Sequence, residues 1–316
     1  MKELTEYNSS YRYIPIIAGP TASGKSSLAI ELALNINGEI ISCDSMQIYK
    51  GLDIGTAKVT KEEQSLVPHH MIDIVEPDAV FSVNDFALRT INVIEDILKR
   101  GKMPVLCGGT GQYVTALYEG IKYVDEPVDK KIIDDLYAKF DKDGIDDIYS
   151  KLESVDPVAS AKIHKNNTRR VIRAYAVYLS TGKTFTWWNE NSKKEGPSYP
   201  FKLFTLDYDR SIIYDRINKR VDQMIDDGLI EEAKALYDSG KLQKSTAKQA
   251  IGYKELFDYF EGRCSLDKSI YEIKLRSRHY AKRQLTWFRY MEKRHIIDIN
   301  DVPSTLNYII DQISEK

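Results

Sequence analysis

The residues with the clearest chemical potential are Gly19-Pro-Thr-Ala-Ser-Gly-Lys-Ser26, a Gly followed by four residues and then Gly-Lys-Ser. That spacing cradles polyphosphates: the glycines let successive backbone N–H groups point inward, and the following helix adds the positive end of its dipole. Lys25 would reach the terminal phosphates, and Ser26 is placed to ligate the Mg²⁺ that phosphate oxygens bring with them. The loop follows the apolar run Ile14-Pro-Ile-Ile-Ala18 and precedes the amphipathic stretch Ser27 to Leu34, which is the strand-to-helix setting such a loop requires.

Asp44 is the second focus. It ends the apolar run Glu39-Ile-Ile-Ser-Cys43 and leads into Ser45-Met-Gln-Ile-Tyr49. Three roles are open to it: a carboxylate holding Mg²⁺ or water, a general base against an acceptor, or the N-cap of the next helix.

Further strands are expected at His70 to Val75, Met103 to Cys107 and Phe201 to Leu206, with a helix from Val83 to Lys99. Short apolar strands alternating with helices signal a parallel sheet, so the fold class is α/β, a P-loop NTPase-like sheet flanked by helices. In such sheets ligands gather beyond the carboxyl ends of the strands. The glycine loop, Asp44 and Gly108-Gly-Thr-Gly111 should therefore converge. Charged helical segments from 123 to 200 read as a helical insertion domain, leaving 12–122 and 201–316 as the core. The last part reads as helical, with Ser211 to Met224, Leu229 to Asp238 and a long basic helix from Leu266 to Lys293.

The 316-residue chain is 42% hydrophobic and 29% charged, ordinary for a soluble protein, and its N-terminus lacks a signal-peptide layout, so a cytoplasmic protein with no membrane association is expected. Cys43, Cys107 and Cys264 are too scattered for a disulfide framework or a zinc site. A formal net charge of −2 conceals two basic stretches. Ala161 to Lys183 carries six Lys or Arg and no acid, while Ser269 to His295 holds Lys274, Arg276, Arg278, Lys282, Arg283, Arg289, Lys293 and Arg294 against Glu272 and Glu292. Either these are solvated helix faces or they meet an extended polyanion. Tyr280, Trp287, Phe288 and Tyr290 lie among the second set, where rings could stack on unpaired bases or serve the core.

Together the phosphate loop, Asp44-Ser-Met-Gln-Ile-Tyr-Lys-Gly-Leu-Asp-Ile-Gly-Thr-Ala-Lys58, His69-His-Met-Ile-Asp73, Gly108-Gly-Thr-Gly-Gln-Tyr113, Asp156 through Arg170, Ile251-Gly-Tyr-Lys254 and Lys282-Arg-Gln-Leu-Thr-Trp-Phe-Arg289 resemble the bacterial tRNA dimethylallyltransferase family. The resemblance runs from about residue 14 to 295. It implies transfer of a dimethylallyl group from dimethylallyl diphosphate to N6 of adenosine 37 in the tRNA anticodon stem-loop, by a monomer that uses Mg²⁺. By this resemblance Gly19, Thr21, Ala22, Ser23, Gly24, Lys25 and Ser26 hold the diphosphate, Ser26 also serves the metal, Asp44 accepts the proton from the amine, and Thr110 bonds near the reacting centre.

Arg216 or Arg220 supplies a cation for the diphosphate, unless both simply pair with acids such as Asp215 or Asp222, and Tyr49 and Tyr113 wall the pocket. RNA contacts map onto Asp44, Ser45, Met46 and Gln47, with Gln47 reading an adenine edge; onto Asn166, Asn167, Thr168, Arg169 and Arg170; onto Gln249, Gly252, Tyr253 and Lys254; and onto Lys282, Arg283, Gln284, Trp287 and Arg289. Thr168 and Gln112 depart from the family's usual residues, and the zinc finger of eukaryotic relatives is not expected. A small-molecule kinase or an adenylate isopentenyltransferase would share the loop but has little use for two cationic faces.

Overall fold

Burial drives the sheet. The five residues of β1 (Ile14–Ala18), the five of β2 (Gly38–Ser42) and the six of β4 (Met103–Gly108) are all buried, as expected for strands covered by helices on both faces. With β3 (His69–His70), β5 (Phe201–Leu206) and β6 (His295–Ile297) they form one sheet in the order β3-β2-β4-β1-β5-β6, every pair parallel. The computed structural model describes all residues except 1, 3, 5–9, 122–127, 193 and 316.

The chain divides into two compact units, one of Met1–Tyr118 with Pro197–Lys316 and one of Glu119–Gly196. The boundary read near Tyr123 falls outside the described residues; that at 200 stands against 196. In the first unit the sheet is accompanied by α1 (Lys25–Asn35), α2 (Lys61–Leu66), α3 (Val83–Lys99) and α4 (Gly111–Tyr118). After β5 come α10 (Arg210–Asp226), α11 (Leu229–Asp238), α12 (Tyr253–Phe260), α13 (Leu266–Arg289) and α14 (Val302–Ser314).

The second unit is helical, with α5 (Lys130–Asp143), α6 (Asp146–Val155), α7 (Pro157–Lys162), α8 (Thr168–Thr181) and α9 (Phe185–Asn191) around a core that includes Leu136, Ile148, Leu152, Val171, Ile172 and Val177. Asp156 fastens it: its buried carboxylate accepts from Ala159 N (3.0 Å), Thr186 N (2.8 Å) and Thr186 Oγ1 (2.6 Å). Among the described residues no helix is long and apolar enough to cross a membrane.

Two expectations are corrected. The strand expected over His70 to Val75 stops at His70, because Met71 (φ 62°) and Asp73 (φ 52°) take left-handed conformations that no strand can continue. The segment instead turns back, with Asp73 N donating to Gln47 O and Ile74 N to Ile48 O. The helix expected to reach Lys293 ends at Arg289, and Lys293 at φ 54° turns the chain into β6.

Candidate active site

The carboxyl ends of β1, β2 and β4 deliver the glycine loop, Asp44 and Thr110 to one region. A cavity of about 290 Å³ is lined there by Thr21, Lys25, Ser26, Asp44, Ser45, Met46 and Gln47, by Gln249 and Gly252, and by Arg220, Tyr280 and Arg283. Lys25, Ser26 and Asp44 thus open into the same space, as the sequence pattern requires.

Local hydrogen bonds set each group. Asp44 Oδ1 accepts from Met46 N (2.8 Å) and Gln47 N (3.3 Å), so the carboxylate caps a turn after β2 and not a helix, the next helix beginning only at Lys61; no bond to Oδ2 is found among the described residues. Thr110 sits behind that turn rather than on the cavity wall: its hydroxyl accepts from Ser45 N at 3.0 Å. Lys25 Nζ donates to Pro20 O at 3.1 Å within its own loop, where Ala22 (φ 61°) and Gly24 (φ 85°) take left-handed conformations.

The cavity is rich in cations and poor in acids. Burial pulls the Lys25 ammonium below the ordinary lysine range, with Cys107 and Asp44 opposing the shift and Arg220 adding to it. Burial lowers Arg220 as well, again opposed by Asp44. It pushes the Cys107 thiol up to about 11 and the Tyr280 hydroxyl above its usual range, with Asp44 adding to the latter. Asp44 is the one carboxylate on the wall, so two enclosed cations face a single acid among the described residues, and an anion would relieve both.

Arg216 and Arg220 lie one turn apart on α10 yet face different places. Arg220 lines the cavity and its Nη1 donates to Thr21 Oγ1 at 3.3 Å. Arg216 lies over the Tyr208 ring, 4.9 Å from its centroid, in a separate hollow with Asp207, Asp209 and Asp298.

α10 lines the cavity with the apolar Ile217, Val221 and Met224 beside Arg220, and Leu229 and Ile273 add to the apolar lining. The i, i+4, i+7 spacing of these α10 residues is a signal in the sequence that could have marked this lining. Glu232 was missed altogether. Its carboxylate accepts from Asp53 N (3.0 Å), Ile54 N (2.9 Å), Gly55 N (3.1 Å) and Tyr253 OH (2.6 Å), clamping the loop after Asp44 to α12.

The residues expected to meet RNA fall into distinct situations. Lys282 and Arg283 are exposed on α13, and Arg283 also lies over the Tyr280 ring. Arg289 is engaged by Asp207, Nη2 to Oδ1 at 2.8 Å and Nε to Oδ2 at 3.3 Å. Tyr253 is fully buried, and Gln284 is 4% exposed. Trp287 Nε1 donates to Thr115 Oγ1 at 3.0 Å. Gln47, expected to read a base, has its amide engaged within the protein: Oε1 accepts from Ser42 Oγ (3.0 Å) and Nε2 donates to Thr56 O (3.3 Å) and Ala57 O (3.1 Å). Lys254 is half-buried beside Tyr253. In the helical unit Asn167 caps α8, accepting from Arg170 N, and Asn166 N donates to His164 Nδ1 at 3.2 Å. Thr168 opens α8, and Arg169 and Arg170 are exposed on its first turn.

Among the described residues no cluster of three or more His, Cys, Asp or Glu side chains could cage a metal. Ser26 and Asp44, both oxygen donors on the cavity wall, instead fit a hard cation that takes most of its ligands from water and phosphate.

Fold and cavity together define an α/β protein of the phosphate-loop class, with the glycine loop and apolar side chains of α10 lining one cavity. The IPP transferase family model matches residues 47–291, and the chain belongs to that family. The tRNA dimethylallyltransferase of Geobacillus thermodenitrificans is 49% identical over 288 residues, 91% of each chain. That of Oceanobacillus iheyensis is 49% identical over 273 residues, 86% of this chain and 87% of its own. Among solved structures, the full-length tRNA isopentenylpyrophosphate transferase of Bacillus halodurans superposes with a TM-score of 0.70 at 42% identity, covering 95% of this chain and 96% of that one. A eukaryotic dimethylallyltransferase, described as acting on tRNA, gives a TM-score of 0.81 at 31% identity, over 96% of this chain and 78% of that one.

Proposed function

We propose that this chain transfers the dimethylallyl group of dimethylallyl diphosphate to N6 of adenosine 37 in the tRNA anticodon loop and releases diphosphate. At the coarser level the chain is a tRNA prenyltransferase, as are its named relatives at 49% identity. The finer reading rests above all on one observation: Lys25, Ser26 and Arg220, the Asp44 carboxylate and the apolar side chains of Ile217, Val221 and Met224 share one cavity. A substrate with a diphosphate head and a short hydrocarbon tail matches that mixed lining.

Lys25 and Arg220 would gather the charge that grows on the leaving diphosphate as the C–O bond breaks, and burial makes that interaction stronger than in water. The acceptor amine is a weak nucleophile because its lone pair is delocalised into the purine. Asp44, fixed through Oδ1 by Met46 and Gln47 N–H groups, would take the amine proton on Oδ2 as the N–C bond forms. Thr110 keeps that turn in place by accepting from Ser45 N. Mg²⁺ held through Ser26 would supply further neutralisation of the diphosphate. Adenosine 37 must leave its stack to reach the cavity, at a cost of a few kcal/mol. The enzyme acts as a monomer in the cytoplasm under this reading.

The test is label transfer from dimethylallyl diphosphate to unmodified tRNA, to the same tRNA with guanosine at position 37, to AMP, and with ATP as donor control. Label is expected in unmodified tRNA alone; transfer to AMP or phosphoryl transfer from ATP overturns the reading. Asp44→Ala should lower turnover by about 10²–10⁴ while pyrophosphate affinity is nearly kept. Equal loss of both would remove Asp44 from the role of base.

A further inference from the structure

We infer that Gln284, on the buried face of α13, and the part-exposed Trp287 one turn on form a brace that fixes the two glycine turns of the cavity against each other, and that Gln284 is a positioning residue for the diphosphate, not an RNA contact. The inference rests on the proposal that the loop holds a diphosphate.

One amide spans the two turns. Gln284 Oε1 accepts from Thr21 N at 2.9 Å, inside the phosphate loop, while Nε2 donates to Gly109 O at 2.9 Å. The side chain is 4% exposed, so neither bond competes with bulk water. Thr21 is held from its other side by Arg220, whose Nη1 donates to its hydroxyl at 3.3 Å.

The turn on the far side of the brace is shaped to receive it. A Cβ on Gly109 would lie 2.2 Å from Gln284 Nε2, and a Cβ on Gly111 would lie 2.6 Å from the Trp287 indole. Glycine at both positions lets α13 close on the turn. Trp287 Nε1, bonded to Thr115 Oγ1, pins the contact one helical turn further on. Between the two glycines stands Thr110, which accepts from Ser45 N beside Asp44. The brace therefore fixes the phosphate loop through Thr21 and the Asp44 turn through Thr110. Lys282 and Arg283 precede Gln284 and are exposed, since successive helical residues point about 100° apart.

The test separates two affinities in the full-length protein, for pyrophosphate with Mg²⁺ and for an unmodified anticodon stem-loop RNA. Gln284→Met leaves the Thr21 N–H and Gly109 carbonyl without partners and should weaken pyrophosphate binding about tenfold or more, with RNA affinity within about twofold of the parent. RNA affinity falling as far as pyrophosphate affinity, or pyrophosphate affinity unchanged, overturns the brace. Should Gln284→Met not fold, Gly109→Ala, which drives a methyl into the same amide, carries the same expectation. If the unaltered protein binds no pyrophosphate, the proposed function fails, and the brace is then decided by amide exchange. Thr21 N–H should exchange faster in the Gln284 variant than in Lys282→Ala, and equal rates overturn it.

Discussion

The two basic stretches look alike in the sequence and differ in the structure. In Ala161 to Lys183, of the helical unit, Lys165 has an acid partner, Asp146 at 2.8 Å, whereas Lys162, Arg169, Arg170 and Arg173 are exposed with no ion pair among the described residues. On α13 the charges are largely spent on the fold. Lys274 pairs with Asp222 (2.5 Å), Arg276 with Glu255 (3.1 Å) and Arg289 with Asp207 (2.8 Å), while Arg278 donates to Asn218 Oδ1 at 2.7 Å. Those acceptors come from elements remote in sequence, so a local count of charge overstates what α13 offers to an RNA. The lesson is that a cation face must be read after its partners are subtracted.

The sharpest way to break that contrast is to neutralise the cations without acid partners. Arg169→Ala with Arg170→Ala, and separately Lys282→Ala with Arg283→Ala, should each lower tRNA affinity about tenfold to a hundredfold at physiological salt and flatten the slope of log K against log salt by about one to two. Filter binding across a salt series checks it, and an unchanged slope for either pair would remove that pair from the RNA face.

A smaller effect, of another kind, is expected at Arg276. Its partner Glu255 is 4% exposed, and burial holds that carboxyl above its ordinary range, against the N–H groups of Gly252 and Glu255 and the Arg276 charge. A raised folded-state pKa means stability is fully present below the unfolded pKa and declines as pH rises through the folded one. Arg276→Ala should steepen that decline, costing about 1–3 kcal/mol near neutrality and less in mild acid, with tRNA affinity little changed. Thermal melts at pH 5 and pH 7.5 decide it, and an equal loss at both would exclude the Glu255 linkage.

The least effect is expected from Arg289→Lys. It removes a two-point contact with Asp207 at a half-exposed site, worth about 0.2–1 kcal/mol, and leaves the salt slope as it was. A slope change as large as that of Lys282 with Arg283 would return Arg289 to the RNA face.

What could be read beforehand was what is local. The phosphate loop, α3 from Val83 to Lys99 with its Ser82 and Asp85 capping box, and β5 from Phe201 to Leu206 follow from neighbours in sequence. The choice between Arg216 and Arg220 was not legible, because both lie on one helix and only its docking decides which faces the cavity. Glu232 gave no signal because the loop it clamps lies 177 to 179 residues away. The bonds of Gln284 to Thr21 N and Gly109 O were illegible for the same reason: it stands beside two exposed cations in sequence, but its partners lie 263 and 175 residues away. β6 and α14 went unread, β6 because three residues ending a basic stretch carry no pattern.

The pairing of β1 with β5 sets a timetable for synthesis. Ile14 aligns with Phe201 and Ala18 with Thr205, so one flank of a central apolar strand waits for about 190 further residues, roughly 10–40 s at bacterial elongation speeds. During that interval the helical unit, which has a core of its own, can mature. The half-built sheet meanwhile presents a bare ladder of Ile14, Ile16 and Ala18, which makes the nascent chain a natural client for chaperones.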